Sequence, residues 1–344
     1  MVEKRAFGTD SAGREAEIFR ISNSHGEYVE ILTLGAAIHS VNVLDGFGRL
    51  GDVVLGAPTI DAVSGQSCEG ITIGRVANVI VDSKYTYKGR TVELEKGGRI
   101  GFMHSGSGNW ATKLFSGEVV GDNSVRLYYR DEGQGGFPCA CDVYVTFSFD
   151  DDGALSLDYN VIPEGDTPIS PTNHAYFNIS GGDIRDLYLK IESDRIAVME
   201  GHGPGEERRS VEGTPADFRE LRKIGDAIAS DDGTFFRNKD EPRYNVYFDR
   251  RERGFGKAAE LWCEENGRRL TVYTDMPAII LFNAIYKETM VTKTGGPLPD
   301  YCAVCLEAQY MPNAVNLTTY DSPFYEKGQS FVSRTVYKFT HDRR

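Results

Sequence analysis

Hydrophobic and polar residues alternate over short stretches along the whole chain, which is the pattern of half-buried β-strands. The β-branched and aromatic residues Val, Ile, Thr, Tyr and Phe dominate these stretches, and most stretches end at Gly, Asp-Gly or Pro. The clearest are EYVEILTLGAAIHSVNVL, RTVELEK, SVRLYYRDE, CDVYVTFSFDDDGALSLDYNVIP, LYLKIESDRIAVM, AAELWCEENGRRLTVYTDMPAIILFNAIY and QSFVSRTVYKF. The alternation predicts a chain built mainly of β-strands.

Two tight turns are predicted inside these stretches. Asp151-Asp152-Gly153 separates two alternating runs, and Glu265-Asn266-Gly267 separates another pair. Glycine accepts the positive φ that a tight hairpin turn requires. Both sites therefore predict antiparallel β-hairpins.

Helical periodicity is weak. The segment 218–229, FRELRKIGDAIA, has apolar residues at helical spacing but contains Gly225, and the segment 199–217 is predicted to be an irregular loop. No low-complexity linker divides the chain and no repeat period is visible. We therefore predict a single all-β domain over residues 1–344, folded as a large antiparallel β-sandwich.

The charge balance limits the partners. The chain has 51 Asp and Glu residues against 38 Lys and Arg residues, a formal net charge of -13. A chain of this charge repels a phosphate backbone, so nucleic acid is not an expected partner. Residues 1–22 contain no apolar core of a signal peptide, and no long apolar run occurs elsewhere. We expect no membrane association and a cytoplasmic location.

Six cysteines are few for 344 residues. Their number favours reduced thiols packed as small hydrophobic groups. Cys302 and Cys305 form a C-x-x-C pair, for which a structural zinc or a redox site is the alternative interpretation. We expect no metal site.

The segment SPTNHAYFNISG, residues 170–181, places one histidine inside a predicted strand. Alternation puts His174 and Tyr176 on one face and Ala175 and Phe177 on the other. Neither face is wholly apolar. His174 either lines a polar cavity or is an ordinary hydrogen-bonded histidine, and the residues alone do not decide between the two.

A second segment, YCAVCLEAQYMPNAVN at 301–316, contains a glutamate in an otherwise apolar strand. Alternation places Cys305, Glu307 and Gln309 on one face. Burial of an unpaired carboxylate is costly and raises its pKa, which suits a general base that works near neutral pH. The alternative is a structural ion pair between Glu307 and an arginine.

Two further segments carry candidate polar residues. His104 lies in RIGFMHSGSGNW, and Arg75 and Asn78 lie in GITIGRVANVI. A guanidinium group presents a planar fork of donors to neighbouring hydroxyls, and an amide both donates and accepts. Taken singly, a surface histidine and a surface ion pair are the ordinary interpretations.

Common catalytic signatures are missing: the chain has no G-x-S-x-G, no G-x-x-x-x-G-K-[ST], no H-E-x-x-H and no Rossmann glycine motif. The segments GRVANVI, MHSG, SPTNHAYFNISG, GTPADFR and CLEAQYMPNAVN nevertheless follow one another in a familiar order. In that order and spacing the sequence resembles the aldose 1-epimerase (galactose mutarotase) family. The stretch LTLGAAIHSVNVLDGFGRLGDVVLG near the N-terminus extends the resemblance to nearly the whole chain.

The resemblance implies an antiparallel β-supersandwich with an open sugar cleft, and the interconversion of the α and β anomers of a free hexose. By this resemblance Glu307 is the general base and His174 the general acid. His104 is a second active-site histidine, and Arg75 and Asn78 bind the sugar. The implied reaction uses no metal, nucleotide or covalent nucleophile.

The chemistry agrees with these roles. Ring opening removes a proton from the C1 hydroxyl while another is delivered to the ring oxygen, which a carboxylate and an imidazolium on opposite sides of the sugar accomplish. Gln309, on the same face as Glu307, is a candidate substrate-binding residue. Tyr176 is another, with core packing as the alternative fate of its ring.

Several positions depart from the family pattern. Val79 stands where GRYANRI has its second arginine, and Ile280 stands where the family has a glutamine before an aromatic residue. The best match to the family's sugar-contacting Asp-His-Asn segment is EPRYNVYF, which makes Arg243 a further substrate-binding candidate. Loss of hydrogen-bonding residues changes discrimination between sugars, so a preference shifted away from galactose is expected.

Three other functions remain as alternatives. A hexose-6-phosphate 1-epimerase would use the same chemistry, with basic residues such as Arg243 near C6. A sugar-binding or regulatory protein on the same fold would not need both His174 and Glu307. A glycoside hydrolase would need a second carboxylate, which the sequence does not supply. The expected partner is a free aldose, and sheet edges permit either a monomer or a homodimer.

Overall fold

The computed structural model describes residues 1–63, 68–97, 101–231, 244–283 and 291–343. Nearly half of the described chain is in extended strands that pair with one another. The strands are β1 (Val2–Thr9), β2 (Glu15–Ser22), β3 (Tyr28–Leu32), β4 (Ala37–Leu44), β5 (Leu50–Asp52), β6 (Thr72–Ile73), β7 (Val79–Ile80), β8 (Lys84–Tyr87), β9 (Arg90–Glu93), β10 (Phe102–Met103), β11 (Ser116–Gly121), β12 (Ser124–Asp131), β13 (Cys141–Phe149), β14 (Ala154–Pro163), β15 (Thr167–Pro168), β16 (Thr172–Asn173), β17 (Tyr176–Phe177), β18 (Tyr188–Ile191), β19 (Arg195–Glu200), β20 (Gly203–Ser210), β21 (Arg222–Lys223), β22 (Tyr244–Asp249), β23 (Gly256–Trp262), β24 (Arg268–Thr274), β25 (Ala278–Asn283), β26 (Val304–Gln309), β27 (Phe324–Tyr325) and β28 (Phe331–His341).

Helices are short. The α-helices in the described ranges are α1 (Ile60–Val63) and α2 (Ile224–Ala229). Single 3-10 turns cover Val81–Ser83, Gly106–Gly108, Trp110–Thr112, Gln134–Gly136, Ile184–Asp186 and Ala314–Asn316. No helix in the part of the chain that the structure describes is long and apolar enough to cross a membrane.

Three large sheets organise the molecule. A five-stranded sheet has the order β1-β2-β3-β4-β5, a nine-stranded sheet the order β11-β12-β13-β14-β28-β24-β23-β18-β21, and a six-stranded sheet the order β17-β26-β25-β22-β19-β20. The named strands of these sheets pair in antiparallel fashion, for example β14 with β28 and β25 with β26. The prediction of an all-β antiparallel fold is confirmed.

The core lies between the sheets. In β13 and β14 every second residue is buried, including Val143, Phe147 and Leu157. These side chains belong to one hydrophobic cluster that also contains residues of the five-stranded and six-stranded sheets. Phe19 and Phe339 are the first and the last buried members of this cluster along the chain. Burial of such alternating apolar faces between stacked sheets is what stabilises a β-sandwich. The extent of the domain, residues 1–344, stays a prediction.

Both predicted hairpins are present. Strands β13 and β14 are joined through Gly153 at φ 72°, and β23 and β24 are joined through Gly267 at φ 75°. Each glycine occupies the left-handed region that a side chain with a Cβ atom disfavours. The turn chemistry in the sequence therefore located these two connections correctly.

The weak helical periodicity of 218–229 corresponds to a short helix, Ile224–Ala229, and the preceding residues Arg222 and Lys223 pair with β18 as an edge strand. One local expectation was wrong. The loop expected over 199–217 contains most of a β-hairpin formed by β19 and β20. Glu206 on β20 accepts hydrogen bonds from the Thr318 and Thr319 backbone amides, a tertiary contact that local composition does not indicate.

Strand β26 has two different buried faces. Val304, Leu306 and Ala308 belong to the main hydrophobic cluster. The alternate residues Cys305, Glu307 and Gln309 are buried on the opposite side of the same sheet. The six-stranded sheet thus separates the sandwich core from a second, polar interior, and that interior holds the candidate site.

Candidate active site

Glu307 lies at the centre of the polar interior. Its strand β26 pairs with β17 on one side and with β25 on the other, which leaves the side chain only 2% exposed. Its Oε2 is buried and accepts no hydrogen bond from the described residues. Burial raises the pKa of Glu307 to about 8, because a charged carboxylate loses its hydration there. The alternative interpretation, a structural ion pair with an arginine, finds no such partner in the described ranges.

His174 lies beside Glu307, between the short strands β16 and β17. Its Nε2 is 3.6 Å from Glu307 Oε1, and its Nδ1 is 3.4 Å from the Sγ of Cys305. The imidazole ring stacks on Tyr176, with 4.8 Å between the ring centroids. Burial, together with the neighbouring His104, lowers the pKa of His174 to about 3. The histidine therefore lines the polar interior rather than the sandwich core.

His104 and Asn78 hold each other in place. The Asn78 backbone amide donates to His104 Nδ1 at 3.1 Å, and the His104 amide donates to the Asn78 carbonyl at 2.9 Å. Both residues have positive φ, 48° for His104 and 63° for Asn78. Such backbone costs energy and is often found at functional sites. With Nδ1 accepting, the neutral ring carries its proton on Nε2, and the ring centroid lies 5.9 Å from that of His174.

Arg75 lies in a buried hydrogen-bond network. Its side chain is 0% exposed, its Nε donates to Asp131 at 3.0 Å, and its Nη1 donates to Thr167 at 3.0 Å. Asp131 also accepts from the indole N–H of Trp110. These contacts favour a structural role for Arg75, and the substrate-binding role expected from the sequence stays a prediction.

Gln309 and Tyr176 are both in the polar interior. Gln309 is 0% exposed, and neither its Oε1 nor its Nε2 has a hydrogen-bond partner among the described residues. Buried amides are normally hydrogen-bonded, so these atoms have capacity for a ligand's hydroxyl groups. Tyr176 is cross-strand from Cys305 and stacks against His174, whereas Phe177 packs in the sandwich core. The alternation inferred from the sequence separates these two rings correctly.

An apolar wall adjoins Glu307. Ile280 on β25 is directly opposite Glu307 on β26, and Tyr247 on β22 is directly opposite Ile280. Both Ile280 and Tyr247 are buried in a small cluster on the same side of the sheet as the carboxylate. The row Tyr247, Ile280, Glu307 therefore places the apolar side chain of Ile280 directly beside the carboxylate, with Tyr247 on the far side of Ile280.

The remaining sequence-based candidates have different outcomes. Arg243 lies outside the described residues. Cys302 and Cys305 are free thiols, and within the described ranges no three His, Cys, Asp or Glu side chains are grouped as a metal site requires. The sequence interpretation missed Asp131, which neutralises Arg75, and Ser105, which accepts from and donates to the Val76 backbone. No local pattern marks either residue, since their partners are remote along the chain.

The order of the strands in the sheets defines a fold class that known structures share. An aldose epimerase homologue from C. elegans superposes with a TM-score of 0.86 at 23% identity, over 95% of this chain and 99% of that one. A galactose 1-epimerase from Lactobacillus acidophilus NCFM superposes with a TM-score of 0.83 at 21% identity, over 99% of both chains. The fold is thus the galactose mutarotase-like sandwich that the motifs implied.

Sequence comparison gives the family. The family model described as Aldose 1-epimerase matches residues 17–338, so the chain belongs to the aldose 1-epimerase family. An aldose 1-epimerase of Escherichia coli (strain K12) is 28% identical over 338 residues, which is 95% of this chain and 96% of that protein. A galactose mutarotase of Homo sapiens is 28% identical over 346 residues, or 98% of each chain. The family predicted from the motifs is confirmed, and its enzymes are isomerases.

Proposed function

We propose that this protein is an aldose 1-epimerase that interconverts the α and β anomers of a free aldose, with Glu307 as general base and His174 as general acid. The observation that carries the proposal is the buried pair itself, with His174 Nε2 3.6 Å from Glu307 Oε1. Glu307 Oε2 and both amide atoms of Gln309, on the same face of β26, are buried and have no hydrogen-bond partner among the described residues. A buried polar site of this kind fits a small polyhydroxylated ligand.

One proton shared by the pair is enough for the reaction. Burial raises the pKa of Glu307 to about 8 and lowers that of His174 to about 3, so the pair holds one proton at neutral pH. Sugar hydroxyls that donate to Glu307 stabilise its charged form, which transfers the proton to His174. Glu307 then removes the C1 hydroxyl proton while His174 protonates the ring oxygen. The open aldehyde rotates about C1–C2 and recloses with these roles reversed.

His104 supports the pair as the second histidine. Because its Nδ1 accepts from the Asn78 amide, the neutral His104 ring carries its proton on Nε2, and an N–H at that position polarises a sugar ring oxygen when it donates to it. The two hydrogen bonds between His104 and Asn78 orient the His104 ring, and the backbone of both residues has the positive φ that these bonds accompany. We assign His104 a catalytic role and Asn78, Tyr176 and Gln309 substrate-binding roles.

The apolar wall beside Glu307 determines the sugar preference in this proposal. Ile280 and Tyr247 occupy the row that leads away from the carboxylate, and Arg75 is committed to Asp131. A sugar hydroxyl placed against Ile280 would lose a hydrogen bond to water without gaining one from the protein. We infer that the protein prefers an aldose that places few hydroxyl groups against Ile280, and that galactose is not this sugar.

Polarimetry tests the function directly. Freshly dissolved α-D-glucose, α-D-galactose, L-arabinose and D-xylose are followed with the wild-type protein, with Glu307→Gln and without protein. We expect acceleration for at least one sugar, with D-galactose not the best substrate, and near-background rates for Glu307→Gln. A folded wild-type protein that binds sugars but accelerates none of them would replace the proposal by the sugar-binding alternative. Acceleration only of a hexose 6-phosphate, followed by NMR exchange, would replace the free aldose as substrate.

A further inference from the structure

A second cavity lies outside the site described above. It has a volume of about 750 Å³ and is formed by the end of β18, the segment 217–222, residues 250–252 and Lys257 of β23. None of the predicted site residues that the structure describes is in its lining. A volume of this size accommodates a small metabolite.

The lining of this cavity is more basic than the chain as a whole. Its cationic residues are Lys190, Arg219, Arg222, Arg250, Arg251 and Lys257, against four carboxylates. The complete chain has a net charge of -13. A concentration of arginines in an otherwise acidic protein produces a local positive potential that attracts anions.

Arg250 is buried without a direct ion pair. It is 2% exposed and forms no ion pair with a carboxylate in the described ranges, where Asp275 and Glu252 act on it only from a longer distance. Its Nη1 donates to the Met276 carbonyl, its Nη2 reaches the Gly254 carbonyl only at 3.5 Å, and its buried Nε has no hydrogen-bond partner. A buried guanidinium without a paired anion is costly. An anionic ligand in the cavity would supply the missing partner.

Two more arginines are available to the same ligand. Arg222 donates to the Thr214 and Pro215 carbonyls and to the Ser230 hydroxyl, with no carboxylate partner among the described residues. Arg251 is exposed and has only a 3.5 Å contact with Asp194. By contrast, Arg219 is engaged by Asp217 through two hydrogen bonds. Arg222, Arg250 and Arg251 are therefore less fully neutralised by carboxylates than Arg219 is.

We propose that this cavity is a binding site for a small phosphorylated molecule, separate from the acid–base site. Arginine forks match the geometry of phosphate oxygens and bind them through paired charge-assisted hydrogen bonds. A smaller groove of about 340 Å³ shares Arg219 and Arg251 with the cavity and adds Arg195, Arg208 and Arg209. A ligand with two phosphate groups would extend from the cavity into this groove.

Isothermal titration calorimetry tests the proposal with inorganic pyrophosphate and glucose 6-phosphate as probes and glucose as the uncharged control. Arg222→Gln and Arg251→Gln are the test variants, since both positions are solvent-accessible enough to tolerate the change. Arg126→Gln is the matched control, because Arg126 is an exposed arginine on β12 with its own partner, Glu118. Each test variant is expected to weaken binding by about tenfold, and the control by less than about twofold.

The outcomes separate clearly. Binding of either phosphorylated probe that weakens with salt, persists in Glu307→Gln and is lost in Arg222→Gln supports the site. Pyrophosphate binding without glucose 6-phosphate binding would show that a diphosphate is required. Absence of binding by both probes, or binding equally strong in Arg222→Gln, Arg251→Gln and the wild type, would overturn the proposal. Arg250→Lys, which keeps the buried charge but removes the fork, gives an independent reading through the same titration.

Discussion

His174 Nε2 lies 3.6 Å from Glu307 Oε1, although His174 lies between β16 and β17 and Glu307 lies in β26. The distance is longer than a hydrogen bond and short enough for strong electrostatic coupling. Cys305 contacts the other ring nitrogen of His174 and so fixes the ring from behind. This arrangement is the basis of the proposal that His174 and Glu307 act together as acid and base.

His174→Asn should lower kcat by about 10²- to 10⁴-fold, the range that general acid catalysis contributes. Asn keeps a polar side chain of smaller size, so the sheet should fold unchanged. The measurement is saturation kinetics by polarimetry or coupled dehydrogenase assay. Glu118→Gln, a change at an exposed carboxylate on β11, is the control and should retain wild-type kcat. A His174→Asn enzyme with near-wild-type turnover would contradict the acid assignment.

The pH dependence of stability should differ between wild type and Glu307→Gln. The folded-state pKa of Glu307, about 8, is above the ordinary glutamate value of 4.5, so its stabilising contribution is lost as pH rises from 4.5 through 8. The folded-state pKa of His174, about 3, is below 6.5, so its contribution is lost as pH falls below 6.5. The two effects oppose each other between pH 4.5 and 6.5, and the glutamate effect stands alone above that window.

Urea unfolding of both proteins from pH 6.5 to 8 checks this expectation. The wild type should lose roughly 1.4 kcal/mol per pH unit relative to Glu307→Gln, because the glutamine mimics the protonated acid and does not titrate. Other titrating groups cancel in the difference. Parallel curves for the two proteins would mean that Glu307 is ionised at little cost in the folded state.

Asp131→Asn should destabilise the fold by about 3–5 kcal/mol, because it leaves the fully buried Arg75 guanidinium without its counter-charge. Chemical denaturation measures the change. The exposed pair of Arg126 and Glu118 gives the matched control, for which Glu118→Gln should cost about 1 kcal/mol or less. If Arg75 bound the sugar instead, the variant would raise KM with little loss of stability.

Gln309→Leu should leave stability unchanged or raise it by about 1 kcal/mol, since the amide atoms it removes are buried and without partners. The same variant should raise KM for the preferred sugar, because the hydroxyls lose their acceptor and donor. Thermal unfolding and steady-state kinetics on one preparation give both readouts. A strongly destabilised variant would show that the amide is part of the structural hydrogen-bond network.

Ile280→Gln should shift selectivity toward D-galactose, because it places an amide beside Glu307 on the neighbouring strand. We expect the ratio of kcat/KM for galactose to that for the preferred sugar to rise by about tenfold. Ile280→Leu, which keeps the wall apolar, is the control and should leave the ratio unchanged. An unchanged ratio in Ile280→Gln would show that Ile280 does not determine the sugar preference.

The sequence by itself determined the strand-rich fold, the hairpins at Gly153 and Gly267, and the sharing of one face by Glu307 and Gln309. It also placed His174 and Tyr176 together and Phe177 on the opposite side. These features depend on local rules, namely the two-residue period of a strand and the glycine requirement of tight turns. The order of the motifs along the sequence was then enough to identify the family.

Only the tertiary structure decided which distant groups meet. The burial of Arg75 against Asp131, the row that joins Ile280 to Glu307, and the contact of buried Arg250 with the Met276 carbonyl all join segments that are remote along the chain. The hairpin of β19 and β20 likewise depends on contacts between Glu206 and the residues at 318–319. Periodicity specifies which face of a strand is buried, whereas the identity of the partner across that face follows from sheet order and packing.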